Sequence, residues 1–365
     1  MTEAFKMLEE QYWELYRPVF LEQYINPLNI AEEKEKFSKA WHENKVYNPQ
    51  FTYQSLDFDL DELRTKLKRL KEAFAKNNHD LSRYYVEHID ETIEALEYFS
   101  NRETKVFAAW LTAQYGRPSK KLVQQAEDVL ATLDKVVKEE QSVNATEVSD
   151  IFAQALEERG FGGWEISIEE MPARMSINQM LKKVKIKASA KFSPLEIERL
   201  KIHEIDTHIL RAENAKKQPY LLFQYGFPKY LKTEEGLAIL SEEKYGLLST
   251  YDKERYAMRV LAADYSYEHS FYTLFSYLHQ RLDFDDAFNM ALRTKRGLVD
   301  SSQNGGYTKD QVYLDGYFML KEEPLADIAK LYYGKIGMEN IEVLEKLDKL
   351  EENIIYPEWV KKGSE

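Results

Sequence analysis

The chain has 365 residues, 44% hydrophobic and 31% charged, which is the composition of a folded globular protein and not of a disordered one. Its formal net charge of −13 repels nucleic acid and anionic membrane surfaces at long range, so neither is expected as a partner. Cysteine is absent, which excludes disulfides, thiolate catalysis and Cys-ligated metal, and leaves His, Asp or Glu to hold any ion.

The start, Met1-Thr-Glu-Ala-Phe-Lys, has no basic segment leading into an apolar run. No stretch approaches the roughly 18 consecutive apolar residues of a membrane span, and a cytoplasmic protein is expected. The length is large for one core and suggests two subdomains. With only 14 Gly and 10 Pro, long helices should dominate.

Residues 1–160 read as a helical N-terminal region. Leu60, Leu63, Leu67, Leu70 and Phe74 recur at three- and four-residue spacing, and Val86, Ile89, Ile93 and Leu96 repeat the pattern. So do Val123, Ala126, Val129, Leu130 and Leu133. Residues 161–365 read as a second region, opening with a small antiparallel sheet over 164–192. There Trp164-Glu-Ile-Ser-Ile-Glu alternates apolar and polar residues. In the run from Lys183 to Phe192, Val184, Ile186, Ala188, Ala190 and Phe192 share one face, and Lys183, Lys185, Lys187 and Lys191 share the other. Those lysines suit an edge strand guarded by charge. After Ser193 the pattern is helical again to about Glu351. The fold class is therefore mainly α with a small antiparallel sheet (α+β).

Ser193-Pro-Leu-Glu196 marks a helix start, with Ser193 as cap, Pro194 at the first position and Glu196 placed to complete a capping box. The helix runs into His203-Glu204-Ile-Asp-Thr-His208. Two imidazoles and a neighbouring carboxylate are what zinc hydrolysis needs: neutral ligands, an open position and a proton acceptor. The usual motif spaces its histidines by four residues; here the spacing is five. On an ideal helix that separates the side chains by roughly 140°. A local π-type widening would restore a shared face; without it, the two are ordinary histidines on a charged helix. Downstream, Thr233 can cap a second helix whose first turn carries Glu234 and Glu235. Acidic first turns are common, since they complement the helix dipole.

The run His203-Glu-Ile-Asp-Thr-His208-Ile-Leu-Arg211, then Asn214, Gln218-Pro219 and Thr233-Glu-Glu-Gly-Leu-Ala238, resembles the microtubule-associated tyrosine and glutamate carboxypeptidase family. Thr294-Lys-Arg296-Gly297-Leu, the stretch from Gly305 to Gly316, and Val46-Tyr-Asn-Pro-Gln-Phe51 extend the likeness over most of the chain. The resemblance implies a zincin-like metallopeptidase with an expanded HExxxH motif. His203, His208 and Glu235 would then be the Zn2+ ligands and Glu204 the catalytic base. Glu234 stands where the family commonly has Gln, and adds a competing carboxylate. Ile239 stands where many Glu-zincins have the Asp that orients the first ligand His, so that partner must come from elsewhere.

Arg296 and Lys309 are candidates for a substrate carboxylate, unless they only pair with acids such as Asp300 and Asp310. Tyr307 and Tyr313 are candidates to stabilise the oxyanion of an attacked peptide carbonyl. The expected function is removal of a C-terminal residue from a peptide or protein. The rivals are an endopeptidase or amidase using the same site, and a non-catalytic helical binding protein.

Overall fold

The computed structural model describes residues 2–362, apart from residues 18, 20, 102, 103 and 172 and the side chain of residue 22. It is mainly α-helical, with one two-stranded and one three-stranded sheet among the described residues. No described helix is long and apolar enough to cross a membrane. Two compact units share the chain. The first takes Met1–Glu9, Lys135–Lys253 and Val312–Glu365; the second takes Glu10–Asp134 and Glu254–Gln311. The boundary near residue 160 drawn from the sequence is linear, whereas both units are assembled from separated stretches. A change of pattern along the chain marks where strands begin, not which helices complete one another's apolar faces.

The first unit holds the strands: β1 (Val143–Asn144), β2 (Glu165–Glu169), β3 (Met175–Asn178), β4 (Lys183–Lys187) and β5 (Lys191–Phe192). β1 pairs antiparallel with β5. The three-stranded sheet has the order β2-β4-β3, and it is mixed, not wholly antiparallel as expected. β2 runs parallel to β4 because the intervening chain first crosses to the far side of β4 and pairs there as β3. β4 is therefore central, not an edge. Val184 and Ile186 are buried as the alternation requires. Of the lysines opposite, Lys183 meets Glu165 at 3.1 Å and Lys185 meets Glu169 at 2.5 Å, both on the adjacent strand.

Helix α1 (Ala145–Glu158) starts from a capping box between Asn144 and Glu147 and buries Val148, Phe152, Ala155 and Leu156. Helix α2 (Pro194–Leu200) runs into a widened segment, Lys201–Ile209, and then into α3 (Leu210–Ala215). Helix α4 (Leu231–Lys244) is buried continuously from Thr233 to Glu242, without a solvent face over that stretch. It packs on α5 (Val312–Lys321) at a glycine crossing. A Cβ on Gly236 would sit 2.2 Å from the Gly316 carbonyl carbon, and one on Gly316 would sit 1.9 Å from the Lys232 oxygen. Only two glycines allow the backbones to approach this closely. The C-terminal segment is held by side chains of and just after α3. Asn214 donates to the Tyr332 and Ile355 carbonyls and accepts from the Ile355 N–H, while Gln218 exchanges two bonds with Glu351.

The second unit contains the helices whose periodicity was clearest. Leu63, Leu67, Leu70 and Phe74 are buried on Leu60–Ala75, and Ile89, Ile93 and Leu96 on Ser82–Phe99. Phe74 stacks on Tyr85 with centroids 4.4 Å apart, and Tyr12 meets Tyr85 edge-on at 5.6 Å. Phe37 inserts among Phe271, Phe275 and Phe288 at 5.2, 4.7 and 5.5 Å. These contacts join an early helix, Ile30–His42, to helices of the 271–295 region, which explains the discontinuous unit.

Candidate active site

Ser193 caps α2 by accepting from the Glu196 N–H at 3.1 Å, and Pro194 takes the first turn. The Glu196 carboxylate, expected to complete a capping box, pairs with Arg174 at 2.8 Å. From Lys201 to Ile209 the backbone is π-helical. The Thr207 hydroxyl donates to the Ile202 carbonyl at 3.0 Å, spanning the same five-residue step. At about 4.4 residues per π-turn, five residues overshoot one turn by only roughly 50°. The two imidazoles therefore share a face. Their ring centroids are 4.9 Å apart and nearly perpendicular, at 81°. The widening anticipated from the spacing is present, and it extends over nine residues instead of a single bulge.

α4 brings the third group. Glu235 Oε2 lies 3.7 Å from Nε2 of both His203 and His208. One ligand atom from each of the three residues falls within 4.8 Å of the others, and all three residues are buried. A tetrahedral ion with bonds of about 2.1 Å separates its ligands by roughly 3.4 Å, so two imidazole nitrogens and a carboxylate oxygen at these distances fit zinc. Thr233 does not cap α4: the helix begins at Leu231, and the Thr233 hydroxyl accepts from the Met338 N–H at 2.9 Å.

Both histidines are braced from behind. His203 Nδ1 lies 2.7 Å from Glu242 Oε1, and His208 Nδ1 lies 2.8 Å from Glu234 Oε1. Each carboxylate is held in turn by an arginine: Arg199 donates to Glu242 at 2.7 Å, and Arg211 donates to Glu234. Burial pushes both carboxyl pKa values up, but the guanidinium charges outweigh it and hold both below the usual carboxylate range. Burial pushes the His203 imidazole down, yet the Glu235 and Glu242 carboxylates raise it to about 10. For His208 burial likewise opposes Glu234, and the net direction is again upward. Ionised acceptors favour a proton on each Nδ1 and leave Nε2 facing Glu235; at the raised pKa His203 carries a proton on both nitrogens, and an ion binding at Nε2 would displace the one there. Glu204 follows His203 directly, and its negative charge adds to the upward shift of that imidazole.

Sequence reasoning missed Glu242, Arg199 and Arg211 as partners, and it took Glu234 for a rival ligand. Glu242 lies about two turns beyond Glu235 and thus on the same helix face, a signal available in the spacing.

The remaining candidates are divided between the two units. Arg296, Tyr307 and Lys309 belong to the second unit, and Tyr313 lies in the first turn of α5, in the first unit. Arg296 donates to Asn26 Oδ1 at 3.0 Å, and its guanidinium lies 4.9 Å from the centroid of the Tyr307 ring. Asp310 is held chiefly by Arg293, with Arg259 at 3.9 Å. Lys309 precedes it in a short 3-10 turn, Thr308–Gln311.

Residues 35–363 match the family model described as Microtubule-associated tyrosine carboxypeptidase. The chain belongs to that family. Among curated members of the tyrosine carboxypeptidase family, the mouse protein named microtubule-associated tyrosine carboxypeptidase 1 is 26% identical over 351 residues, covering 92% of this chain and 64% of its own length. The rat protein of the same name is 26% identical over 334 residues, covering 88% and 61% respectively. The human one is 33% identical over 153 residues, covering 39% of this chain and 31% of its own. This chain thus spans less than two thirds of the length of the family relatives it matches.

Proposed function

We propose that this protein is a zinc-dependent carboxypeptidase that removes a C-terminal residue from a peptide or protein. The observation that carries the reading is the convergence of His203, His208 and Glu235, with Glu204 next to His203 in the chain, in a member of a family whose relatives are named tyrosine carboxypeptidases. His203, His208 and Glu235 would hold the ion. When bound, zinc in such a site supplies a Lewis acid toward water and the peptide carbonyl.

The rest falls to the chain's own groups. Glu204 takes a proton from the attacking water as its oxygen adds to the carbonyl carbon. It then returns that proton to the leaving nitrogen as the C–N bond breaks. Glu234 and Glu242 keep the imidazoles oriented throughout. In this reading Tyr313, carried by the first unit, donates to the oxyanion, and the terminal carboxylate needs a cation, since its burial without one would be costly.

Matched peptides with free and amidated C-termini test the proposal. Wild type should release one residue from the free form only, and Glu204→Gln should retain zinc while losing about 10²–10⁴-fold in turnover. Equal cleavage of both peptides would favour an endopeptidase, and Glu204→Gln turnover at the wild-type rate would remove the mechanism.

A further inference from the structure

The geometry points to Arg211 as a positioning residue that sets metal affinity through Glu234, without touching the ion. This rests on the reading of His203, His208 and Glu235 as a metal site.

Arg211 is fully buried on α3, directly beyond the widened helix. Its Nε donates to the carbonyls of Leu331 at 2.9 Å and Gly334 at 3.0 Å, and one Nη donates to the Ile336 carbonyl at 2.8 Å. The other Nη reaches Glu234 Oε2. A planar guanidinium whose Nε and one Nη are held by three carbonyls has a fixed orientation, and that orientation presents the other Nη to Glu234. That donor fixes the Glu234 carboxylate, whose second oxygen receives His208 Nδ1 at 2.8 Å. The backbone of 331–336 is thereby connected to a metal ligand through two side chains.

The chemistry of Glu234 narrows the role. Three donors converge on it: His208 Nδ1–H and Gln179 Nε2 on one oxygen, Arg211 on the other. A carboxylate offers only acceptors and satisfies all three. An amide offers one acceptor oxygen and one NH2, so either His208 or Arg211 would face a donor. If the amide turned its NH2 to His208, the imidazole would move its proton or rotate, and Nε2 would no longer be aimed as a ligand. Lysine at 211 keeps the charge but loses the planar fork that can serve three carbonyls and Glu234 together.

Zn2+ alone, titrated against a chromophoric chelator, measures the effect on metal-stripped full-length protein. Glu234→Gln and Arg211→Lys should each weaken zinc binding by about 10–100-fold. The double variant should be no weaker than the poorer single variant, because both changes break one relay. The cobalt-substituted form of each variant should show an altered visible spectrum, a readout that a purely structural role would not move.

Wild-type zinc affinity in folded Glu234→Gln, or log-additive losses in the double variant, would overturn the inference. So would an Arg211→Lys protein that loses thermal stability while its zinc affinity and cobalt spectrum stay those of wild type. If wild type itself binds no zinc, the metal reading fails and takes this inference with it.

Discussion

The two compact units bury charge in different ways. In the second unit each buried ion is closed off locally. Lys295 directs its ammonium to the carbonyls of His269, Gln303 and Gly305 at 2.6, 2.8 and 2.7 Å, and Asp310 lies between arginines. The same unit is packed with stacked and edge-on aromatic rings, Phe74 on Tyr85 and Phe37 against Phe275 among them. In the first unit the buried charges are arranged in series. Arginine holds carboxylate, carboxylate holds imidazole, and the chain of contacts ends with Nε2 of His203 and His208 aimed at Glu235. Both patterns satisfy buried polar groups, but only the second gathers two ring nitrogens and a carboxylate oxygen around a common point. Buried charge alone does not mark a functional site; the direction in which it is relayed does.

The comparison breaks most decisively at the metal. His208→Ala should reduce zinc from about one ion per chain to nearly none, since a three-residue ligand set rarely survives the loss of one member. Elemental analysis of the purified variant decides it, and full occupancy would mean that the ligand set is wrong. Next in size is Phe37→Ala. Truncating a buried ring in an aromatic cluster should cost about 3–5 kcal/mol in urea unfolding. Zinc affinity of the folded fraction should be unchanged, and a parallel drop in affinity would show that the aromatic core and the ligand network are not separable.

The smallest effect concerns acid. Burial raises the Asp310 pKa, but Arg293, Arg259 and Arg296 outweigh it and hold it well below the ordinary aspartate value. A depressed folded-state pKa stabilises above the unfolded value of about 3.9, and that stability is lost as pH falls through the acid range. Asp310→Asn should therefore be less stable than wild type at pH 7, and the difference should shrink toward pH 3. A gap that stayed constant over this range would assign Asp310 a packing role.

Much of this was legible in the sequence where local rules apply. The helix faces of 60–74 and 86–96, the cap at Ser193 and the need to widen the helix between His203 and His208 all follow from spacing. The sheet was legible as strands but not as pairing. Alternation marks Val184 and Ile186 as one face, yet it carries no information on whether β4 lies at the centre or whether β2 runs parallel to it. The units were not legible, because Phe37 and Phe288 find each other only in three dimensions. At the site, Glu234 was misread for a related reason. Its position in a first turn suggested a dipole partner or a rival ligand, whereas its role is set by Arg211 and His208 on a different helix.

The widened helix has a consequence for how the chain can change length. The eight steps across the nine residues Lys201–Ile209, at roughly 82° each, accumulate about 650°, against about 700° for the seven steps of an α-helix one residue shorter. The segment thus delivers Leu210 in nearly the phase that a shorter helix would give. Deleting a residue inside a helix ordinarily rotates everything after it by about 100°. Here the wide turn absorbs the difference, and Arg211 and Asn214 still arrive facing their carbonyl partners. The spacing of the two histidines is therefore a dimension that can vary while the framework beyond them stays in register.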